Sequence, residues 1–163
     1  MRTNKYTLML NEQRELYLTS NGYSNIRSKY RLNNPELIAE FICNAYDADL
    51  QPVEKTYLVC MDQKLKVTGT FEVSSGTSNA AMISAKDIFR MALMANASQV
   101  VLCHNHPSGD TSPSKQDREV TKKIVEIGKL LEMPLVDHII IGEKTHGVSA
   151  CFYSFREMEP HLF

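Results

Sequence analysis

The sequence has no closely spaced cysteine pair, no long apolar run and no surplus of charge. Its four cysteines are Cys43, Cys60, Cys103 and Cys151, and no two fall within ten residues of each other. That spacing excludes C-x-x-C redox and zinc-ribbon sites. The apolar or small neighbours of each cysteine predict reduced core thiols in a reducing compartment. Apolar runs such as Tyr57–Met61 and Ile139–Ile141 are far shorter than the ~20 residues that span a bilayer, so no membrane association is expected. Met1-Arg2-Thr3-Asn4-Lys5-Tyr6 leads into no apolar segment, and no secretory leader is expected. Lys and Arg number 18 against 19 Asp and Glu, for a net charge of −1. That balance argues against a surface built for phosphate backbones. These absences point to a cytoplasmic globular protein.

What is present fits one α/β domain. The chain has 163 residues, 43% of them apolar, enough for a core without disulfides or structural metal. Residues 1–33 are polar and weakly periodic, with Arg2, Lys5, Arg14, Arg27, Lys29 and Arg31 among Asn, Ser and Tyr. They are expected to form a loosely structured arm, with residues 34–163 as the folded unit. Asn34-Pro35 reads as an N-cap with proline at N1, and Leu37, Ile38, Phe41, Ile42 and Ala45 make one helical face. Lys55–Met61 is a strand, Asp62-Gln63-Lys64 a turn, and Leu65, Val67, Gly69, Phe71 and Val73 alternate as a second strand. Ser84 and Asp87 resemble a capping box ahead of a helix carrying Ile88, Met91, Ala92 and Ala95 inward. Gln99–Cys103 has the unbroken apolar character of a strand covered on both faces. Val120, Ile124, Ile127 and Leu131 predict an amphipathic helix, opposite Lys122, Lys123, Glu126 and Lys129. Pro134 ends it, Leu135–Ile141 is another strand, and Gly147–Cys151 a last one. This order predicts a mixed sheet with helices packed on it.

The chemistry concentrates in His104-Asn105-His106-Pro107-Ser108-Gly109-Asp110, directly after an apolar strand. Residues two apart on a strand project from the same face. His104 and His106 therefore point together from a strand end, where α/β sheets place their sites. The chain returns at Ser112-Pro113-Ser114, and Asp117 falls in the first turn of the next helix. Two imidazoles and a carboxylate suit zinc with an open fourth position. The same residues also satisfy a plainer reading. Ser114-x-x-Asp117 is a helix-capping arrangement, and Pro107-Ser108-Gly109-Asp110 is ordinary turn chemistry. Asp110 competes with Asp117 as the carboxylate.

His104-x-His106, seven residues, Ser114, two residues, Asp117 resembles the JAMM (MPN+) metalloprotease signature, H-x-H-x7-S-x2-D. The run His-Asn-His-Pro-Ser-Gly-Asp is similar to the bacterial RadC-like branch of that family. The likeness extends through Asp137-His138-Ile139-Ile140-Ile141-Gly142, Gly76-Thr77, Ala95-Asn96-Ala97 and Ser154-Phe155-Arg156-Glu157, over about residues 34–157. It implies a three-layer α/β/α domain of the cytidine-deaminase-like, MPN/JAB type. It implies one Zn2+ per chain on His104, His106 and Asp117, and hydrolysis of a peptide or isopeptide amide. Ser114 would hydrogen-bond the oxyanion or the water on the metal. The family's general-base glutamate lies on or just before the first sheet strand, where Glu54 matches best and Glu72 second.

Asp137-His138 could support a zinc-bound imidazole, although a structural aspartate and a buried histidine are the preferred reading. His146 and His161 have no ligand partner at useful spacing, and Cys103 should face the core. The RadC name carries a DNA-repair association, which is the alternative function. The ~33 residues ahead of the domain show no Gly-hairpin pattern. The length is expected to leave no room for a separate DNA-binding domain, and nucleic-acid binding by this chain alone is not expected. A homodimer is left open, and the peptide or protein substrate is unknown.

Overall fold

The computed structural model describes residues 2–25, 31–75, 84–144 and 150–163. Seven strands form one mixed sheet: β1 (Arg2–Leu10), β2 (Leu16–Asn25), β3 (Lys55–Met61), β4 (Val67–Ser75), β5 (Gln99–Asn105), β6 (Leu135–Lys144) and β7 (Ala150–Ser154). Their spatial order is β2-β1-β4-β3-β5-β6-β7. β1 runs parallel to β4, β5 parallel to β6, and the other neighbours are antiparallel. The helices are α1 (Pro35–Tyr46), α2 (Ala85–Met94), α3 (Lys115–Leu130) and the short α4 (Phe155–Met158).

The central strands are apolar on both sides because both sides are covered. Tyr57, Val59, Met61, Val101, Cys103, Ile139 and Ile141 pack beneath Ile38, Phe41 and Ile42 of α1. Their alternates Leu58, Cys60, Val100 and Leu102 pack against Ile88 and Phe89 of α2 and Ile124 and Val125 of α3. The result is the three-layer α/β/α arrangement. The expected α1 cap is present: Leu37 N donates to Asn34 Oδ1 at 2.8 Å, with Pro35 beginning the helix. Ser84 caps α2 through Asp87 N.

Three expectations change. Residues 2–10 and 16–25 are not a loose arm but a β-hairpin at the sheet edge, with Lys5 in register beside Thr70 of β4. Tyr6 lies against Phe71, ring centroids 5.8 Å apart, so a few apolar anchors among many polar residues suffice to dock the hairpin. Among the described residues the last strand is Ala150–Ser154, which runs past the expected end at Cys151; Gly147, Val148 and Ser149 lie outside the described residues, as do Gly76, Thr77 and His146. Cys43, Cys60 and Cys103 are buried, whereas Cys151 is exposed.

The buried stripe of α3 also differs from the apolar periodicity. Thr121, Ile124, Val125 and Gly128 are buried, while Val120 and Ile127 are half-buried and Leu131 is 45% exposed. A Cβ at Gly128 would sit 2.7 Å from the Met133 carbonyl oxygen, so the helix end needs glycine to approach the chain leading into β6. Thr121 is buried for a polar reason described below. No helix among the described residues is long and apolar enough to cross a membrane.

Candidate metal centre

The site forms where β5 ends and the chain turns toward α3, the first part of a parallel β5–α3–β6 crossover. His104 lies within β5 and His106 just beyond it, where the His106 N–H still donates to the Ile141 carbonyl at 2.9 Å. The two side chains share the face that α3 covers. Cys103, on the opposite face, packs in the α1 layer as expected. Asp117 enters from the first turn of α3. Ser114 is the N-cap: Asp117 N donates to Ser114 Oγ at 3.1 Å, and Ser114 N donates to Asp117 Oδ2 at 2.7 Å. This reciprocal cap orients the carboxylate, so the helix-capping reading and the ligand reading describe the same geometry.

His104 Nε2 lies 3.1 Å from His106 Nε2 and 3.3 Å from Asp117 Oδ1, and His106 Nε2 lies 3.8 Å from Asp117 Oδ2. A tetrahedral zinc with ligands near 2.0–2.1 Å has ligand–ligand edges of about 3.3 Å. The residues fit such an ion in both spacing and donor type. His104, His106 and Asp117 are the group able to hold a metal among the described residues. Asp110 takes a different part. Its side chain accepts from Ser112 N at 2.9 Å within the turn, while its carbonyl oxygen lies 2.7 Å from His106 Nδ1. A carbonyl only accepts, so His106 Nδ1 carries the proton and its Nε2 lone pair faces the triad.

Strand pairing separates the two candidate glutamates. Thr56 of β3 is in register with His104. The pairing ends there, and Glu54 lies two residues beyond it on one chain as His106 does on the other. Burial raises the Glu54 carboxyl above its ordinary value, His106 opposes this, and the Asp117 charge adds to it, so all three groups share one electrostatic neighbourhood. Glu72 is in register with Tyr57, whose side chain packs in the α1 layer, and it pairs with Lys55 Nζ at 3.3 Å. The Glu54 segment is also clamped. Asn105, buried at the end of β5, accepts from Lys55 N at 2.9 Å and donates to the Val53 carbonyl at 3.1 Å. Residue-type reasoning passed over Asn105, whose only signal was its place between the two histidines.

The Asp137-His138 pair divides. Asp137 is structural, accepting from Ser154 Oγ at 2.6 Å, His138 N at 2.7 Å and Arg156 N at 3.0 Å. His138 instead reaches the site, with Nε2 2.9 Å from His104 Nδ1. Its ring stacks on Phe155 at 4.9 Å and 13°. The loop between His106 and α3 rests on β6 at Gly142, where a Cβ would lie 2.7 Å from Thr111 Cγ2.

Burial holds both inner histidines neutral. It pushes His104 down to about 4, with Asp117 opposing and His106 assisting, and pushes His138 well below the usual range, with His104 and His106 assisting. In the unfolded chain both rings titrate near ~6.5. Below that pH the unfolded chain takes up protons that the folded, metal-free chain refuses, so stability falls as pH drops from about 6.5 toward 4. The expected loss between about pH 7 and pH 5 is on the order of 2 kcal/mol per histidine. Urea unfolding in the presence of a chelator checks this, and a pH-independent midpoint across that window contradicts it.

The profile of the RadC-like JAB domain matches residues 32–159. A UPF0758 protein of Thermotoga maritima is 43% identical over 100 residues, covering 61% of this chain and 42% of the relative. One from Methanosarcina barkeri is 46% identical over 93 residues, covering 57% and 41%. Another, from Thermosynechococcus vestitus, is 33% identical over 129 residues, covering 79% and 48%. The chain thus spans about half the length, or somewhat less, of these relatives. With most of its length matched and its histidines and aspartate brought together, the chain belongs to the RadC-like JAB domain family.

Proposed function

We propose that this domain is a zinc-dependent hydrolase that cleaves an amide, of the peptidase or isopeptidase type. The observation that carries the reading is the convergence of His104 Nε2, His106 Nε2 and the Asp117 carboxylate at the end of β5, with Glu54 beside them. Zinc held by these three groups would lower the pKa of a water toward ~7 and polarise a carbonyl. Glu54, with its raised proton affinity and its electrostatic contact with His106 and Asp117, would be the group to hold a proton there and return it to the departing amine. Ser114 Oγ accepts from Asp117 N, which leaves its hydroxyl proton free to donate to charge developing on the substrate oxygen. Asn105 keeps the Glu54 segment against the strand end.

A peptide or protein substrate follows from the amide reading. The buried, reduced cysteines Cys43, Cys60 and Cys103 fit a reducing compartment, and the cytoplasm is the proposed location. Action on DNA draws on the family name, and the net charge of −1 gives it no support.

The test is zinc titration of the purified chain, followed by assays on peptide, isopeptide-linked and nucleic-acid substrates. One equivalent of zinc and zinc-dependent amide cleavage are expected. A chain that binds no zinc at micromolar concentration, or that cleaves phosphodiesters and no amide, overturns the proposal.

A further inference from the structure

Behind the ligand triad a chain of buried polar groups runs from His104 into α3. His104 Nδ1 lies 2.9 Å from His138 Nε2, His138 Nδ1 lies 2.7 Å from Thr121 Oγ1, and Thr121 Oγ1 lies 2.6 Å from the Asp117 carbonyl oxygen. His104 is 1% exposed, and His138 and Thr121 are fully buried, so no water competes for these bonds.

The last link determines the others. A carbonyl oxygen has no proton, so the short contact to Asp117 requires the Thr121 hydroxyl to be the donor. The hydroxyl has only one proton, and it must therefore accept from His138 Nδ1–H. A neutral His138 protonated at Nδ1 has its lone pair on Nε2, which accepts from His104 Nδ1–H. The His104 lone pair is then on Nε2, the atom 3.3 Å from Asp117 Oδ1. Reversing any one link leaves two acceptors facing each other inside the relay, at a cost of ~1–3 kcal/mol; the assignment itself leaves lone pairs on His104 Nε2 and His106 Nε2, 3.1 Å apart, which a shared cation reconciles.

We propose that Thr121 and His138 are positioning residues for the metal centre: their relay, anchored on the Asp117 carbonyl, holds His104 in the Nδ1–H tautomer with its Nε2 lone pair presented to the ion. The inference rests on His104 being a metal ligand. It adds a mechanical link, because the residue that supplies the carboxylate also supplies the carbonyl that sets the tautomer of a histidine on another element. Stacking of His138 on Phe155 holds the ring plane that the relay requires.

The experiment combines ring-nitrogen NMR of the metal-free chain with zinc competition titrations. At about pH 8, where imidazoles are neutral, His104 and His138 are expected to show Nδ1–H with slowly exchanging ring protons. Thr121→Val, nearly isosteric, is expected to lose the His138 signature and weaken zinc binding ten- to a hundredfold. Thr121→Ser restores the hydroxyl and is expected to recover both. His138→Gln provides a second variant if Thr121→Val fails to fold: it is expected to weaken zinc binding by a similar factor. An Nε2–H His104 in the metal-free wild type overturns the relay, and so does wild-type zinc affinity in folded Thr121→Val and His138→Gln. Failure of the wild type to bind zinc overturns the metal reading instead, and the metal-free spectra still decide the tautomer.

Discussion

Glu54→Gln is expected to bind zinc as tightly as the wild type and to lose amide hydrolysis by about a hundredfold to ten-thousandfold, the range for removing a general base. The substitution keeps the shape and hydrogen-bonding reach of the side chain and removes its ability to accept a proton. Glu54 stands just before β3, within the electrostatic reach of His106 and Asp117, in a half-buried position where loss of water raises its proton affinity. A carboxyl raised toward neutral pH is better matched to moving a proton than an ordinary exposed one. Glu72→Gln is the control: its partner is Lys55 and its register neighbour is Tyr57, so hydrolysis is expected to stay within about twofold. The rates are read on the substrate found by the amide screen, with zinc content measured on the same samples. A Glu54→Gln protein with bound zinc and full rate removes Glu54 from the mechanism, and a large loss in Glu72→Gln transfers the assignment.

His106→Ala is expected to abolish stoichiometric zinc and, with it, hydrolysis. Of the two histidines it is the cleaner test. Its side chain is 17% exposed, so truncation opens little core, whereas His104→Ala would leave a cavity and orphan His138 Nε2. The readout is linkage between metal and folding. At a zinc concentration near a thousand times its dissociation constant, the wild type should gain about 4 kcal/mol of stability. His106→Ala should gain almost nothing at that concentration while unfolding near the wild-type midpoint without metal. Thermal unfolding with and without zinc reports both numbers. A variant stabilised by zinc as strongly as the wild type would mean that the ion sits elsewhere. The metal-free pH dependence should persist and steepen when zinc is present, because a ligating ring cannot take a proton on the same nitrogen while the unfolded chain still does.

Much of the domain was legible because the signals are local. The α1 cap needs only Asn34, Pro35 and Leu37. The double-sided apolar character of β3 and β5 follows from the short apolar runs Tyr57–Met61 and Val100–Cys103, and the alternation of side chains alone places His104 and His106 together. The Ser114–Asp117 cap spans four residues and fixes where α3 starts. What misled were segments whose burial is not apolar. The β1–β2 hairpin is mostly polar and is held by edge pairing, with Tyr6 on Phe71. On α3 the stripe centres on Thr121 and Gly128, which carry little hydrophobic signal. One is buried to donate to the Asp117 carbonyl and the other to allow a close backbone approach.

By itself, then, the sequence determined the layered α/β class, the strand that ends in paired imidazoles, and the capped helix that follows it. Each of these depends on interactions spanning a few residues. Only the tertiary structure decided which carboxylate meets the histidines, and that His138 and Thr121 stand behind them. Those outcomes depend on the antiparallel register of β3 on β5 and the parallel crossover from β5 to β6. Such registers are set by the packing of whole faces rather than by local preference. The missing cysteine pairs and apolar spans excluded whole classes of protein; the register of two strands with β5 shaped what remained into a candidate metal centre.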